Sequence, residues 1–130
     1  MLELRVQPAE QVPLADAVFN LGRAALLVAA LQSSDWGALA EAMDDRLHQP
    51  ARGRVFAALR PTIEAALAAG AHGAALSGAG STIVALATDR QREIAAAMQL
   101  AAGAHGFPSH TAVLALSASG AQVIEREARG

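Results

Sequence analysis

The sequence contains no lysine, no cysteine and no tyrosine, and the first two absences remove whole classes of chemistry. All ten basic residues are arginine, which excludes a Schiff-base lysine, a lysine general base and the lysine of a P-loop. Without cysteine the chain has no disulfide, no thiolate nucleophile and no sulfur-ligated zinc site. Three of its histidines, His72, His105 and His110, have no ligand-like spacing with carboxylates, so we expect no metal site.

Charge and hydropathy also narrow the range of partners. The net charge is -2 and the arginines are scattered, whereas a nucleic-acid footprint needs a basic face or stripe. The longest apolar run, residues 24–31, is far short of the ~20 residues of a membrane span. Residues 1–8 do not have the pattern of a signal peptide. We therefore expect no nucleic-acid or membrane partner and a cytoplasmic location.

The 130 residues fit a single domain, residues 1–130, with a core built mainly from small side chains. Hydrophobic residues make up 53% of the chain, but aromatic residues make up only 3%. Such a core depends on closely approaching backbones, which favours helices packed on each other or on a sheet.

Helical spacing dominates the first half of the chain. Pro13 stands where a helix begins, because its missing N–H costs nothing at the first helical position. A second helix is predicted over residues 36–47, and a third over residues 53–69 with an interruption at Pro61. The first helix is predicted to bury one stripe of apolar residues at helical spacing: Leu14, Val18, Leu21, Ala25, Val28 and Leu31.

In the second half of the chain the apolar residues change from helical spacing to short runs. Short apolar runs predict strands over residues 73–76 and 82–87, a helix follows over residues 90–102, and two further strands are predicted over residues 110–117 and 121–126. Helices followed by hairpin-connected strands indicate an α+β two-layer sandwich, with an antiparallel sheet and helices on one face.

A glycine-rich loop, Ser77-Gly78-Ala79-Gly80-Ser81-Thr82, joins the first two predicted strands. A dinucleotide-binding loop would open into a helix, but a strand pattern follows here, and no lysine is present for a Walker loop. Two interpretations remain open. The glycines make a tight turn with positive φ, or they let the backbone N–H groups approach a ligand closely, with the Ser77, Ser81 and Thr82 hydroxyls beside them.

Three segments together carry a family resemblance. The glycine loop resembles the C-terminal glycine motif of the GHMP kinases, with Ser81 where proline is usual. Asp16-Ala17-Val18-Phe19-Asn20, here called the helix motif, is similar to a segment of homoserine kinases. Asp44-Asp45-Arg46-Leu47-His48-Gln49-Pro50-Ala51-Arg52, here called the His-Gln-Pro motif, is similar to another, with Ala51 replacing tyrosine.

The resemblance implies a fold and an activity. The fold would be the ferredoxin-like GHMP kinase C-terminal domain. The complete homoserine kinase would use ATP and Mg²⁺ to phosphorylate the hydroxyl of L-homoserine in threonine biosynthesis. The family's Gly-Leu-Gly-Ser-Ser phosphate loop does not occur in these 130 residues. We therefore expect the N-terminal ATP-binding domain to be absent and this chain alone to have no catalytic residue, no bound cofactor and no activity.

Substrate-binding residues are carried over from the family residue by residue. Arg52 and Arg5 are the expected partners of the substrate carboxylate, since a planar guanidinium meets both oxygens. The glycine loop, which consists of Ser77, Gly78, Ala79, Gly80, Ser81 and Thr82, is expected beside the active site. His48 is interpreted as a helix C-terminal cap rather than an acid–base group.

Three explanations of the chain remain open. It is a truncated or split kinase with a separate N-terminal half, a stand-alone amino-acid-binding module without chemistry, or a pairing domain that forms a homodimer. The retained arginines and glycine loop favour the first.

Overall fold

Five helices and a two-stranded sheet follow one another along residues 11–123, the part of the chain that this computed structural model describes. A single 3₁₀ turn, Trp36–Ala38, separates the first two helices. In chain order the regular elements are α1 Leu14–Ser33, α2 Leu39–Ala42, α3 Gln49–Gly53, α4 Leu59–Ala68, β1 Gly73–Leu76, β2 Ile83–Leu86 and α5 Gln91–Ala104.

The sheet pairs β1 with β2 in antiparallel register, from Gly73 opposite Leu86 to Leu76 opposite Ile83. Helix α4 packs on both strands, and α2 packs on β1. Gly73 permits the second contact, because a Cβ at this position would lie 2.9 Å from the carbonyl oxygen of Leu39. The predicted α+β class with an antiparallel sheet and packed helices is confirmed.

Small side chains fill the space between α4, α5 and the sheet. One cluster contains Phe56 and Leu59 with two alanines, and Phe107 meets Phe56 edge-on at 4.8 Å between ring centroids. The other consists of the buried residues Ala66, Ala71, Ala74 and Ile94. The alanines let α4 and α5 approach closely, as the composition indicated.

The second predicted helix, residues 36–47, is wrong in its second half. Helix α2 ends at Ala42, and residues 43–48 form a loop instead. The Asp45 side chain accepts hydrogen bonds from the backbone N–H groups of Leu47, His48 and Gln49, which stabilises a non-helical loop and starts a new helix. Pro50 therefore lies in the first turn of α3 rather than ending a helix.

The third predicted helix, residues 53–69, corresponds to the end of α3 and the whole of α4. Pro61 lies in the first turn of α4, where a missing N–H has no intrahelical partner to lose, so it does not kink the helix. Gly70 follows α4 with φ 111°, a conformation that favours glycine.

The predicted strand at residues 110–117 is also wrong. These residues form no strand, and the Leu114 and Leu116 side chains are almost fully exposed. Their alternation indicated a strand, but a strand needs a neighbour to accept its hydrogen bonds, and none is paired with them among residues 11–123. Half of the strand predicted over residues 121–126 lies outside the described residues, as does Arg5, and residues 121–123 form no strand.

Helix α1 presents the opposite face from the one predicted. The stripe expected to be buried is exposed, with Leu14 at 79% and Leu21 at 72% of full exposure. The face that contacts the fold contains Ala30 and Phe19, whose ring lies between the guanidinium groups of Arg23 at 4.3 Å and Arg46 at 3.8 Å. Periodicity misassigned the face because both sides of α1 are rich in apolar residues.

By length and composition alone, α1 is also the described helix that is apolar enough to cross a membrane. It nevertheless packs along one side against α2 and the 3₁₀ turn that precedes it.

Candidate functional site

The glycine loop is a tight connection between β1 and β2. The Ser77 N–H donates to the Thr82 carbonyl at 2.8 Å, and the Gly80 N–H donates to the Ser77 carbonyl at 3.1 Å. Gly78 and Gly80 have φ of 57° and 83°, so the turn interpretation is correct. A Cβ at Gly80 would collide with Leu76, but a Cβ at Gly78 would meet nothing within 4 Å. The Gly78 side of the loop is therefore open to close approach.

The His-Gln-Pro motif is organised by one carboxylate. Asp45 Oδ1 accepts from the backbone N–H of Leu47 at 2.7 Å, and Oδ2 accepts from the backbone N–H groups of His48 at 2.9 Å and Gln49 at 2.5 Å. The Gln49 N–H is in the first turn of α3, where helix geometry leaves it without an intrahelical partner, and Leu47 and His48 directly precede the helix. The carboxylate thus fixes where α3 begins.

Side chains at the start of α3 hold the glycine loop. Gln49 Oε1 accepts from the backbone N–H of Leu76 at 3.0 Å, while its Nε2 donates to the Met43 carbonyl at 3.2 Å. His48 Nε2 lies 3.1 Å from the carbonyl oxygen of Gly78, so this nitrogen carries the proton in the bond. The interpretation of His48 as a helix C-terminal cap is wrong, because His48 stands at the N-terminus of α3 and contacts the loop.

The helix motif joins the same network through Asn20. Its Nδ2 donates to Asp45 Oδ1 at 2.6 Å, and its Oδ1 accepts from the backbone N–H of Arg46 at 3.0 Å. The helix motif, the His-Gln-Pro motif and the glycine loop therefore meet in one hydrogen-bonded chain. Sequence reasoning missed this role of Asn20, Asp45 and Gln49, although an acidic residue shortly before a Pro at a helix start is a recognisable capping signal.

The pKa of Asp45 agrees with its role as the carboxylate that organises the start of α3. Its partial burial alone would raise the pKa, but the hydrogen bond from Asn20 and those from the backbone N–H groups of Gln49, Leu47 and His48 outweigh that effect. The pKa of Asp45 consequently lies below its ordinary value. The charged carboxylate is the form that this site favours.

Arg52 lies at the end of α3, one helical turn after His48, and is only 8% exposed. A surface role suits Arg60 instead, which is well exposed and pairs with Glu64 at 3.2 Å. The predicted partner Arg5 lies outside the described residues.

Between residues 11 and 123, no three histidine or carboxylate side chains cluster as metal ligands.

Comparisons with known proteins match this architecture. Residues 27–105 match the family model described as GHMP kinases C terminal. Homoserine kinase from Desulfitobacterium hafniense is 44% identical over 111 residues, which are 85% of this chain and 37% of the relative. Homoserine kinase from Thermus thermophilus is 44% identical over 106 residues, covering 82% of this chain and 36% of the relative.

A solved structure is similar as well. The crystal structure of homoserine kinase from Cytophaga hutchinsonii superimposes with a TM-score of 0.70 at 31% sequence identity. The match covers 79% of this chain and 36% of that one. The chain thus spans little more than a third of the length of the relatives that it matches.

Proposed function

We propose, on the premise that this chain belongs to the GHMP kinase family as its C-terminal domain, that it forms the homoserine-binding side of a homoserine kinase. In that enzyme the γ-phosphoryl group of ATP passes to the side-chain hydroxyl of L-homoserine. The observation that carries the proposal is the convergence of the three motifs, with Asn20, Asp45 and Gln49 tying them together around the glycine loop.

Arg52 is the proposed partner of the homoserine carboxylate. A planar guanidinium meets a carboxylate with two parallel hydrogen bonds, and Arg52 is the arginine at which the His-Gln-Pro motif matches the family. The proposal is supported by His48 and Gln49, which belong to the same motif as Arg52 and contact the glycine loop and the strand that precedes it.

ATP and Mg²⁺ belong, in this proposal, to the part of the kinase that the relatives have and these residues do not match. Phosphoryl transfer depends mainly on positioning and on neutralising phosphate charge, which Mg²⁺ supplies when bound. The contribution of the present residues is to orient homoserine and to bring the backbone of the loop towards the transferred group. These 130 residues by themselves are then inactive.

The test is a fused chain, in which the ATP-side part of the Desulfitobacterium hafniense kinase precedes these residues in place of its own matching segment. We expect homoserine-dependent ADP formation from the fused chain and none from the 130 residues alone. Arg52→Ala should raise the KM for homoserine about 10- to 100-fold, since a hydrogen-bonded charge contributes about 1.5–3 kcal/mol. Arg60→Ala, which removes an exposed arginine, is the matched control.

Arg52→Lys keeps the charge but loses the fork, so it tests the same assignment if the alanine variant fails to fold. An unchanged KM in Arg52→Lys and Arg52→Ala would remove Arg52 from the site. Phosphorylation of homoserine by the 130 residues alone would contradict the proposal that ATP and Mg²⁺ belong to another part of the kinase. Calorimetric binding of homoserine to a fused chain that has no kinase activity would instead favour an amino-acid-binding module.

A further inference from the structure

The outer face of α1 is an uncharged apolar surface with nothing packed on it among residues 11–123. It is defined by Leu14, Val18, Leu21, Ala25 and Val28, which recur at alternating spacings of four and three residues, all of them exposed. Ala15, Gly22 and Ala29 flank this line and are exposed too. A contiguous apolar face of this kind on a folded protein marks an interaction surface.

The outer face cannot turn inwards, because polar contacts fix the opposite side of the helix. Asn20 donates to Asp45 at 2.6 Å, and the Arg23 guanidinium meets the Glu41 carboxylate at 2.7 Å. Ala30, on the same side, is only 2% exposed. A helix with apolar residues on both sides, one of them already packed, is typical of the interior of a larger protein.

From these observations we infer that the outer face of α1 is the docking surface for the ATP-side part of the kinase; this rests on the proposed function. The relatives each have more than half of their length outside the segment that this chain matches. Helix α1 is the first of the described helices, and most of it precedes residue 27, where the match to the C-terminal family model begins, so it is the described helix nearest along the chain to that remaining part.

The composition of the face specifies the chemistry of its partner. Charged side chains are absent from the defining and flanking positions, so the partner surface must be apolar and uncharged at its centre. The small flanking residues leave room for a second backbone to come close. A partner helix of apolar side chains is the surface that meets both conditions.

Cysteine accessibility provides the test, since the chain has no cysteine of its own. Val18→Cys places a thiol on the outer face, Ala30→Cys places one on the packed face, and Leu100→Cys places one on α5 at a leucine that is 76% exposed. Each variant is prepared in the 130-residue chain and in the fused chain described above. Alkylation by N-ethylmaleimide is followed at the engineered cysteine by mass spectrometry.

Docking predicts that Val18→Cys reacts at least tenfold more slowly in the fused chain than in the 130-residue chain. Leu100→Cys should react at the same rate in both, and Ala30→Cys should react slowly in both, which reports that α1 is folded against its neighbours. If Val18→Cys remains fast in the fused chain while Ala30→Cys is protected, the inference is wrong.

The same variants separate the other occupants. Concentration-dependent protection of Val18→Cys in the 130-residue chain, with a dimer by light scattering, would assign the face to a second copy and overturn the inference. Protection by phosphatidylcholine vesicles in place of the kinase part would overturn it as well. Homoserine phosphorylation by the fused chain is measured separately. If Val18→Cys is protected but homoserine is not phosphorylated, the docking surface is retained and the proposed function is wrong. If homoserine is phosphorylated but Val18→Cys is not protected, the proposed function is retained and the docking surface is wrong.

A second variant tests the face without relying on thiol chemistry. Leu21→Glu puts a charge at the middle of the outer face, and Leu100→Glu makes the same change at an equally exposed leucine elsewhere. In the fused chain we expect Leu21→Glu to lose at least tenfold in activity or soluble yield and Leu100→Glu to lose neither. Equal behaviour of the two variants would argue against docking through α1.

Discussion

Replacing Asp45 with asparagine should destabilise the fold more than a half-exposed loop position normally allows. The substitution keeps the shape of the side chain and one acceptor oxygen. It places an NH₂ group where the second carboxylate oxygen stood, facing donors rather than acceptors. Since Asn20 and the N–H groups of Leu47, His48 and Gln49 all donate to this carboxylate, at least one donor loses its partner.

The magnitude follows from the number and kind of bonds lost. Hydrogen bonds to a charged group contribute about 1.5–3 kcal/mol each. These contributions overlap, and solvent reduces them at a half-buried site. We therefore expect Asp45→Asn to lower the free energy of unfolding by about 1–2 kcal/mol, which corresponds to roughly 4–8 °C in Tm for a chain of this size.

Urea unfolding followed by the fluorescence of Trp36 is the assay, because Trp36 is the one tryptophan and stacks on His72 at 6.0 Å between ring centroids. Asp44→Asn is the matched control. Asp44 is the neighbouring residue, it is exposed, and its removal changes the net charge equally. Its single bond, to the Asp45 N–H, makes a change within about 0.5 kcal/mol the expected result.

The effect also depends on pH in a defined direction. The pKa of Asp45 is lower in the folded chain than its ordinary value of 3.8, so the folded state favours the charged form. The carboxylate therefore stabilises the fold above about pH 4, and this contribution is lost as the pH falls through the folded-state pKa. The stability difference between wild type and Asp45→Asn should be constant from pH 5 to 8 and shrink below pH 4.

Two results would refute this reasoning. Equal unfolding free energies for Asp45→Asn and Asp44→Asn would show that the carboxylate does not organise α3. A difference that stays unchanged down to pH 3 would show that its charge is not what stabilises the site.

Two further predictions concern packing. Gly73→Ala should lower the free energy of unfolding by about 1–3 kcal/mol in calorimetry, because its Cβ would lie 2.9 Å from the Leu39 carbonyl oxygen. Gly103→Ala is the control, since this position lies in open space within α5, and it should raise the free energy of unfolding by about 0.5–1 kcal/mol. A Gly73→Ala variant as stable as the wild type would contradict the close approach of α2 and β1. Thr62→Val should raise Tm by a few degrees, since the buried Thr62 hydroxyl has no hydrogen-bond partner among residues 11–123 and a methyl group avoids its desolvation cost of about 1–3 kcal/mol. A lowered Tm would indicate that the hydroxyl is satisfied in solution.

Features set by short-range chemistry were predictable from the sequence. The positive φ at Gly78 and Gly80 and the strands on either side depend on residues within a dozen positions. Pro13 before α1 and Gly70 after α4 are further cases, because each depends on the backbone of its own position. In these cases local propensity and the final fold agree.

Features set by long-range competition were not predictable. The apolar spacing of residues 36–47 is compatible with a helix, and only the hydrogen bonds of Asp45 explain why the helix stops at Ala42. The face of α1 could not be assigned because Leu21 and Leu27 are equally apolar and the choice depends on Asn20 and on contacts more than twenty residues away. For the same reason His48 was predicted at the C-terminus of a helix but lies at the N-terminus of α3.

The hairpin described above gives the glycine loop an unusual folding history. The hydrogen bonds inside the glycine loop join residues at most five positions apart, and β-hairpins form in about 1–10 μs. Its anchors, by contrast, come from Gln49 and His48, which are 27 and 30 positions away from their partners. Contacts of that separation require closure of a longer loop and follow later. The loop thus acquires its shape early and its orientation relative to α3 late. A substitution at Gln49 or His48 can therefore leave a correctly formed loop in the wrong orientation.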